Sequence, residues 1–105
     1  DSNIKEESKK VLELIKKRER SKIITLSEEG KQFTSIEFSE RYKMQEQDLV
    51  FIIGGPEGLT KEVKDKSNEV LSLSGMTFLH EMARLFLIEQ IYRAQKIIRG
   101  GSYHK

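Results

Sequence analysis

The chain has 105 residues, of which 36% are hydrophobic and 34% are charged, a composition that predicts a single domain with one modest hydrophobic core. No apolar run approaches the roughly 18 residues that a transmembrane helix needs, and the absence of cysteine excludes disulfides, zinc-thiolate sites and cysteine nucleophiles. With only two histidines, a histidine-rich metal site is not expected, and a reducing, cytoplasmic setting fits this composition.

The net charge of +2 is unevenly distributed along the chain. From His80 to Lys105 there are five basic side chains against two acidic ones, so the rest of the chain is slightly acidic. A basic end on a near-neutral body indicates an anionic partner. The alternative interpretation is a solvated helix face followed by an ordinary tail.

The first two elements are predicted to be a helix over Ile4 to Arg20 and a short β-branched strand over Lys22 to Leu26. Thr34 or Ser35 is placed to cap a second helix that runs to about Gln45. The apolar positions expected to face the core are Ile4, Val11, Leu14 and Ile15 in the first helix and Ile36 and Phe38 to Met44 in the second.

The clearest strand is Leu49 to Ile53, because a continuous apolar run is typical of a parallel strand covered on both faces. Thr60 is placed to cap a short helix through about Ser67, and Glu69 to Leu73 is predicted to be a third strand. A loop then leads to a long helix from His80 to Arg99, which Gly100 and Gly101 end. Strands that alternate with helices predict an α/β fold with a mainly parallel sheet between helices.

Two loops are candidates for ligand binding because they follow predicted strands, and ligands of open α/β sheets bind at the carboxyl ends of the strands. In the first, Gly54 and Gly55 let the backbone approach a ligand closely, although a tight turn alone would also explain them. The second, Leu73 to Phe78, can offer backbone hydrogen bonds to an adenine edge while its apolar side chains enclose the ring. The alternative is that Thr77 only caps the long helix and the apolar residues join the core.

The long helix carries more apolar surface than a one-sided surface helix needs. Glu89, Arg93 and Lys96 form a polar stripe, whereas Leu85, Ile88 and Tyr92 add apolar surface outside the expected core-facing side. A second packing partner, such as an identical subunit, would explain this surface. The Glu89–Arg93 pair is equally well explained as a weak helix-surface pair.

Five short segments occur together in an order that resembles the RlmH family of SPOUT-class methyltransferases of large-subunit ribosomal RNA. The match is dense in the second half of the chain and loose in the first. These segments are Ile53 to Gly58, Leu71 to Ser74, Met76 to Phe78, Leu87 to Ala94, and Tyr103 to Lys105.

The resemblance implies a fold and a cofactor that periodicity does not reveal. The expected fold is the SPOUT α/β-knot, in which the C-terminal segment forms a trefoil knot, and the expected cofactor is S-adenosyl-L-methionine. Residues 1–105 would form a single SPOUT domain that is N-terminally incomplete and lacks the family's first strand. The cofactor-binding positions implied by the family and the glycine loop are Leu26, Gly54, Gly55, Leu73, Ser74, Gly75, Met76, Thr77 and Phe78.

The resemblance also implies methylation of N-3 of a pseudouridine in large-subunit ribosomal RNA by a homodimer. Neither a metal nor a membrane is expected, as the composition already indicates. The residues expected near the acceptor nitrogen are His104, Tyr103, Arg93 and Glu89. Arg93 is suited to stabilising developing negative charge, and either His104 or Glu89 could take the proton. The alternative function is a non-catalytic dimeric RNA-binding module that has lost the cofactor site.

Overall fold

A computed structural model describes residues 2–42, 48–54, 59–76 and 78–100, with side chains described from residue 5 onward. In these ranges the chain alternates helices and strands, as the sequence predicts. The elements are α1 (Ser2–Lys17), β1 (Lys22–Gln32), α2 (Ser35–Arg41), β2 (Leu49–Ile52), α3 (Lys61–Lys66), β3 (Glu69–Ser72) and α4 (His80–Ile98).

The three strands form a parallel sheet in the order β2-β1-β3, which confirms the predicted α/β class. In the central strand β1, Ile23, Ile24 and Thr25 are all buried. Successive side chains of a strand point to opposite faces, so consecutive burial means that both faces of the sheet are covered. A trefoil knot is consistent with this arrangement, although the described residues do not reveal one.

Each face of the sheet has its own hydrophobic cluster. On one face, Ile24 and Leu71 pack with Phe38 and Tyr42 of the α2 region and with Leu87 and Ala94 of α4. The other cluster contains Ile23, Ile52, Leu59 and Val63, against which α1 packs through Val11, Leu12 and Ile15. The fold is therefore a three-layer sandwich with α2 and α4 on one side and α1 and α3 on the other.

Two predicted core positions are wrong. Leu14 is 42% exposed and Ile36 is 51% exposed. On α2, Phe38, Ser39 and Tyr42 face the core, and Ile36 lies about 200° around the helix from Phe38. Leu14 is replaced in the packing by Leu12, because the buried side of α1 also passes through Ser8, Val11 and Ile15.

The first strand is longer than predicted and contains a bulge. Leu26 and Lys31 both oppose Leu71 of β3, so residues 27–30 leave the ladder and the chain returns to it. A Cβ atom on Gly30 would lie 2.6 Å from the backbone carbonyl carbon and oxygen of Val70. Gly30 is therefore required for the close approach of β1 to β3.

The predicted helix ends are confirmed in part. Thr34 caps α2 in a capping box, with its hydroxyl accepting from the Glu37 N–H and the Glu37 carboxylate accepting from the Thr34 N–H. Thr60 occupies the N-cap of α3 but makes no side-chain capping bond there. Gly100 follows α4 with a φ of 71°, the left-handed conformation that ends many helices. The helix α2 ends at Arg41 with Tyr42 as its C-cap, so it is shorter than predicted, and residues 43–45 lie outside the described residues.

No helix in the described part of the chain is both long enough and apolar enough to cross a membrane.

Candidate functional site

The predicted ligand-binding loops follow the carboxyl ends of parallel strands, which meet at one edge of the sheet. Gly54 is two residues past β2, and Leu73 directly follows β3. The central strand β1 separates them, so the two strand ends are about 10 Å apart. A ligand that touched both loops would therefore lie across β1 near Leu26, which is opposite Leu71.

The loop after β3 is shaped by its own serines. The Ser72 hydroxyl donates to the Ser74 carbonyl at 2.7 Å, and the Met76 N–H donates to the Ser74 hydroxyl at 3.1 Å. Met76 is 73% exposed, so its side chain does not join the core. A Cβ atom on Gly75 would be in ordinary contact with the Gln32 side chain, 3.6 Å away. The loop thus presents backbone and an exposed thioether beside the end of β1.

A cavity of about 350 Å³ lies between β3, α4 and the start of α2, which is within the size range of small-ligand sites. It brings Leu73 and Phe78 of the predicted cofactor set together with Glu89 of the predicted catalytic set. The other described members of these two sets do not line it, namely Leu26, Gly54, Ser74, Gly75, Met76 and Arg93. The lining residues are Phe33, Thr34, Ser35, Phe38, Leu71, Ser72, Leu73, Phe78, Phe86, Glu89 and Gln90.

The polar stripe on α4 begins at this cavity. The Arg93 guanidinium donates to the Glu89 Oε2 atom from Nε at 3.2 Å and from its terminal nitrogen at 2.9 Å. The Glu89 side chain is 44% exposed and that of Arg93 is 26% exposed, so both groups are accessible from solvent. Lys96, the third member of the stripe, lies over the Tyr92 ring at 5.4 Å from its centroid.

Sequence reasoning missed two residues that connect α2 with α4 at the cavity. The Ser35 hydroxyl donates to Gln90 Oε1 at 2.6 Å. The Thr34 capping box fixes the backbone next to Ser35, so the position of this hydroxyl is well determined. Ser35 and Gln90 are 55 residues apart, so the sequence does not indicate that they contact each other. The only sequence signal for a role of Gln90 is its placement beside Glu89.

The sequence analysis does not predict an ionic cluster that lies at the opposite edge of the sheet. Glu69 accepts from Nε and one terminal nitrogen of Arg41, at 2.9 and 2.7 Å, and from the Tyr42 hydroxyl at 2.7 Å. Its ion pair with Lys22 is 2.8 Å long. Burial acts to raise the pKa of Glu69, but the bonds from Arg41, Lys22 and Tyr42 outweigh it and lower that pKa to about 2. Burial, followed by the bond to Glu69, raises the pKa of Tyr42. The cluster joins the amino-terminal ends of β1 and β3 to the carboxyl end of α2 and is structural.

Four predicted site residues, Gly55, Thr77, Tyr103 and His104, lie outside the described residues. Within the described ranges, no three histidine or acidic side chains come together in a way that could hold a metal ion.

Comparison with known proteins identifies the family. A family model described as "Predicted SPOUT methyltransferase" matches residues 1–104. Three relatives named "Ribosomal RNA large subunit methyltransferase H" match the whole chain. The proteins of Synechococcus sp. (strain CC9311) and Prochlorococcus marinus (strain MIT 9211) are each 46% identical, and the chain covers 72% of each. The protein of Prochlorococcus marinus (strain MIT 9303) is 44% identical, with 69% of it covered. The chain therefore belongs to the SPOUT methyltransferase family.

Proposed function

We propose that this protein is a methyltransferase of large-subunit ribosomal RNA that uses S-adenosyl-L-methionine to methylate N-3 of a pseudouridine. The supporting structural observation is the cavity that joins Leu73 and Phe78, from the predicted cofactor loop, with Glu89 of α4. The similarity of the whole chain to the ribosomal RNA methyltransferases named above supports the substrate class. The alternative, an RNA-binding module without a cofactor site, is disfavoured because both strand-end loops keep the residues that such a site needs.

The described residues fit the cofactor at the carboxyl edge of the sheet. The loop from Leu73 to Met76 offers backbone groups and a polarizable thioether, and Gly54 at the end of β2 leaves room for close backbone approach. Leu26 lies on the strand between these loops. When bound, S-adenosyl-L-methionine supplies an electrophilic methyl group on a sulfonium. Gly55 and Thr77 complete the proposed binding set.

Most of the rate acceleration would come from holding the acceptor nitrogen in line with the methyl group, because methyl transfer needs little covalent help from a protein. Arg93 would stabilise the negative charge that develops on the base as N-3 loses its proton. Glu89 contacts the cavity and its Oε1 atom accepts no hydrogen bond from the described residues, so this oxygen is available to receive the proton. His104 is the other proposed proton acceptor, with Tyr103 beside it.

We propose further that the protein acts as a homodimer through α4. Leu85, Ile88 and Tyr92 are 57%, 53% and 46% exposed and lie at helical spacing on one face. This face points away from the buried residues Leu87 and Ala94. A second copy would cover it in a symmetric contact, and the SPOUT resemblance supports that occupant.

The test is transfer of an isotopically labelled methyl group from S-adenosyl-L-methionine to large ribosomal subunits, with the modified nucleoside identified by mass spectrometry. The proposal expects label at N-3 of a pseudouridine. Removal of Tyr103 to Lys105 should lower the rate by at least about tenfold, because general acid–base groups typically contribute a hundredfold or more. The melting temperature and cofactor affinity should stay nearly constant. RNA binding without any methyl transfer would instead support the non-catalytic module.

A further inference from the structure

The side chain of Gln90 has a hydrogen-bond donor, Nε2, that no described residue uses. Its Oε1 atom accepts from the Ser35 hydroxyl at 2.6 Å, and this bond orients the carboxamide. Among the described residues, no group accepts a hydrogen bond from its Nε2 atom. Gln90 is half-buried and is one of the residues that line the cavity, so this donor belongs to a side chain at the cavity wall.

The surroundings of this donor are suited to a flat, partly polar ring. Phe33, Phe38, Phe78 and Phe86 supply aromatic wall, with the Phe78 and Phe86 rings 5.0 Å apart and inclined at 70°. Aromatic side chains are the usual contacts for unstacked RNA bases. The next residue along α4, Glu89, contributes an acceptor to the same cavity.

A donor beside an acceptor is complementary to a ring edge that presents a carbonyl beside an N–H. A uracil-type base has this edge, since its N-3 proton lies between two carbonyl groups. If Glu89 accepts the N-3 proton, the adjacent ring carbonyl needs a donor, and Gln90, which lines the same cavity, has such a donor in Nε2.

We infer that Gln90 is a specificity residue that binds a ring carbonyl of the acceptor base through Nε2, and that Ser35 is a positioning residue that holds the carboxamide. This inference rests on the proposed function and names the residues that select its substrate base. A site that hydrogen-bonds a substrate group discriminates strongly, because its own polar group is left unpaired when the wrong substrate enters.

The first test is Gln90→Glu, which preserves side-chain shape and the acceptor for Ser35 but replaces the Nε2 donor with an acceptor. We expect kcat/KM for large ribosomal subunits to fall by at least about tenfold. The dissociation constant for S-adenosylhomocysteine, measured by calorimetry, should change by less than about twofold. Glu62→Gln is the control, because it makes the reverse exchange of carboxylate and carboxamide at an exposed position of α3, on the other face of the sheet. Ser35→Ala should give a smaller loss, of about threefold, since Gln90 remains but is no longer oriented.

A second measurement does not depend on turnover. In the ¹⁵N-labelled protein, the side-chain amide resonance of Gln90 should shift when uridine 5′-monophosphate is titrated in, and should stay in place with S-adenosylhomocysteine. A shift with S-adenosylhomocysteine alone would assign the cavity to the adenine of the cofactor and overturn the inference. A shift with neither ligand would also overturn it, as would normal kcat/KM in Gln90→Glu. Absence of methyl transfer by the unmodified protein would count against the proposed function, and the resonance shifts would still decide the role of Gln90.

Discussion

The stability of the fold should depend on the ionised form of Glu69. This side chain is 16% exposed and is held by Lys22, Arg41 and Tyr42, which together lower its pKa from 4.5 to about 2. A tenfold change in a dissociation constant corresponds to about 1.4 kcal/mol, so this lowering corresponds to about 3 kcal/mol of folding free energy at neutral pH. The exposed side of Arg41 weakens the pair by solvent screening, and we expect a value of about 2 to 3 kcal/mol.

The direction of the pH effect follows from the lowered pKa. The folded protein releases the Glu69 proton more readily than the unfolded chain does, so the stabilisation is complete above about pH 4.5. It is lost as the pH falls toward 2, where the folded state also becomes protonated. Glu69→Gln removes this titration. The difference in unfolding free energy between the two proteins should therefore be largest near pH 7 and should decrease by about 2 to 3 kcal/mol between pH 4.5 and pH 2.

The assay is urea unfolding followed by circular dichroism at several pH values between 2 and 7. Glu40→Gln is a suitable control, because Glu40 is an exposed residue of α2 next to Arg41. It should leave the unfolding free energy within about 0.5 kcal/mol at every pH. A constant difference between the unmodified protein and Glu69→Gln across this pH range would refute the assignment of the lowered pKa to the folded cluster.

Three further predictions concern the site and the fold. Gly54→Val should lower the affinity for S-adenosylhomocysteine by at least about tenfold in a folded protein, because it adds a side chain where the backbone is proposed to approach the cofactor. Unchanged affinity by calorimetry would remove Gly54 from the site. Ile88→Glu should convert a dimer to a monomer in light scattering at micromolar concentration, because it places a charge in the proposed apolar contact; an unmodified protein that is already monomeric would contradict the dimer. Gly30→Ala should destabilise the fold by about 1 to 3 kcal/mol in urea unfolding, because the new methyl group would meet the Val70 carbonyl group at 2.6 Å. An unaltered free energy of unfolding would show that β1 and β3 can move apart locally without loss of stability.

The sequence predicts those features of the fold that have local causes. The apolar run of β2, the Thr34 cap and the end of α4 at Gly100 each depend on a few neighbouring residues, and the structure confirms all three. Parallel pairing also follows from the alternation of strands and helices.

Features that depend on contacts between residues far apart in the sequence cannot be predicted in this way. The extension of β1 beyond Leu26 depends on pairing with β3, and its polar sequence gives no strand signal there. In the sequence nothing distinguishes Glu69 from the other charged residues. Its role depends on Arg41, which is 28 residues away in the chain and within hydrogen-bonding distance in the fold.

The candidate site divides in the same way. The loop from Leu73 to Phe78 is recognisable from its composition and its position after a strand, and Leu73 and Phe78 do contact the cavity. The Ser35–Gln90 bond is invisible in the sequence because its two residues are 55 positions apart, although Gln90 lies in the Leu87 to Ala94 segment of the resemblance. The roles of all the site residues are predictions, and Gly55, Thr77, Tyr103 and His104 also lie outside the described residues.

The position of β1 at the centre of the sheet has a consequence for how the protein is made. Its partners β2 and β3 both follow it in the chain, and the bond from the Ile23 N–H to the Asn68 side chain joins residues 45 apart. Until β2 and β3 have left the ribosome, neither of these two strands can pair with Ile23 and Ile24. Contacts of such long sequence separation slow folding, because the chain must close a long loop before it gains any pairing. β1 should therefore wait longer for β2 and β3 than a hairpin strand waits for its partner, which lengthens the time during which it is prone to aggregate.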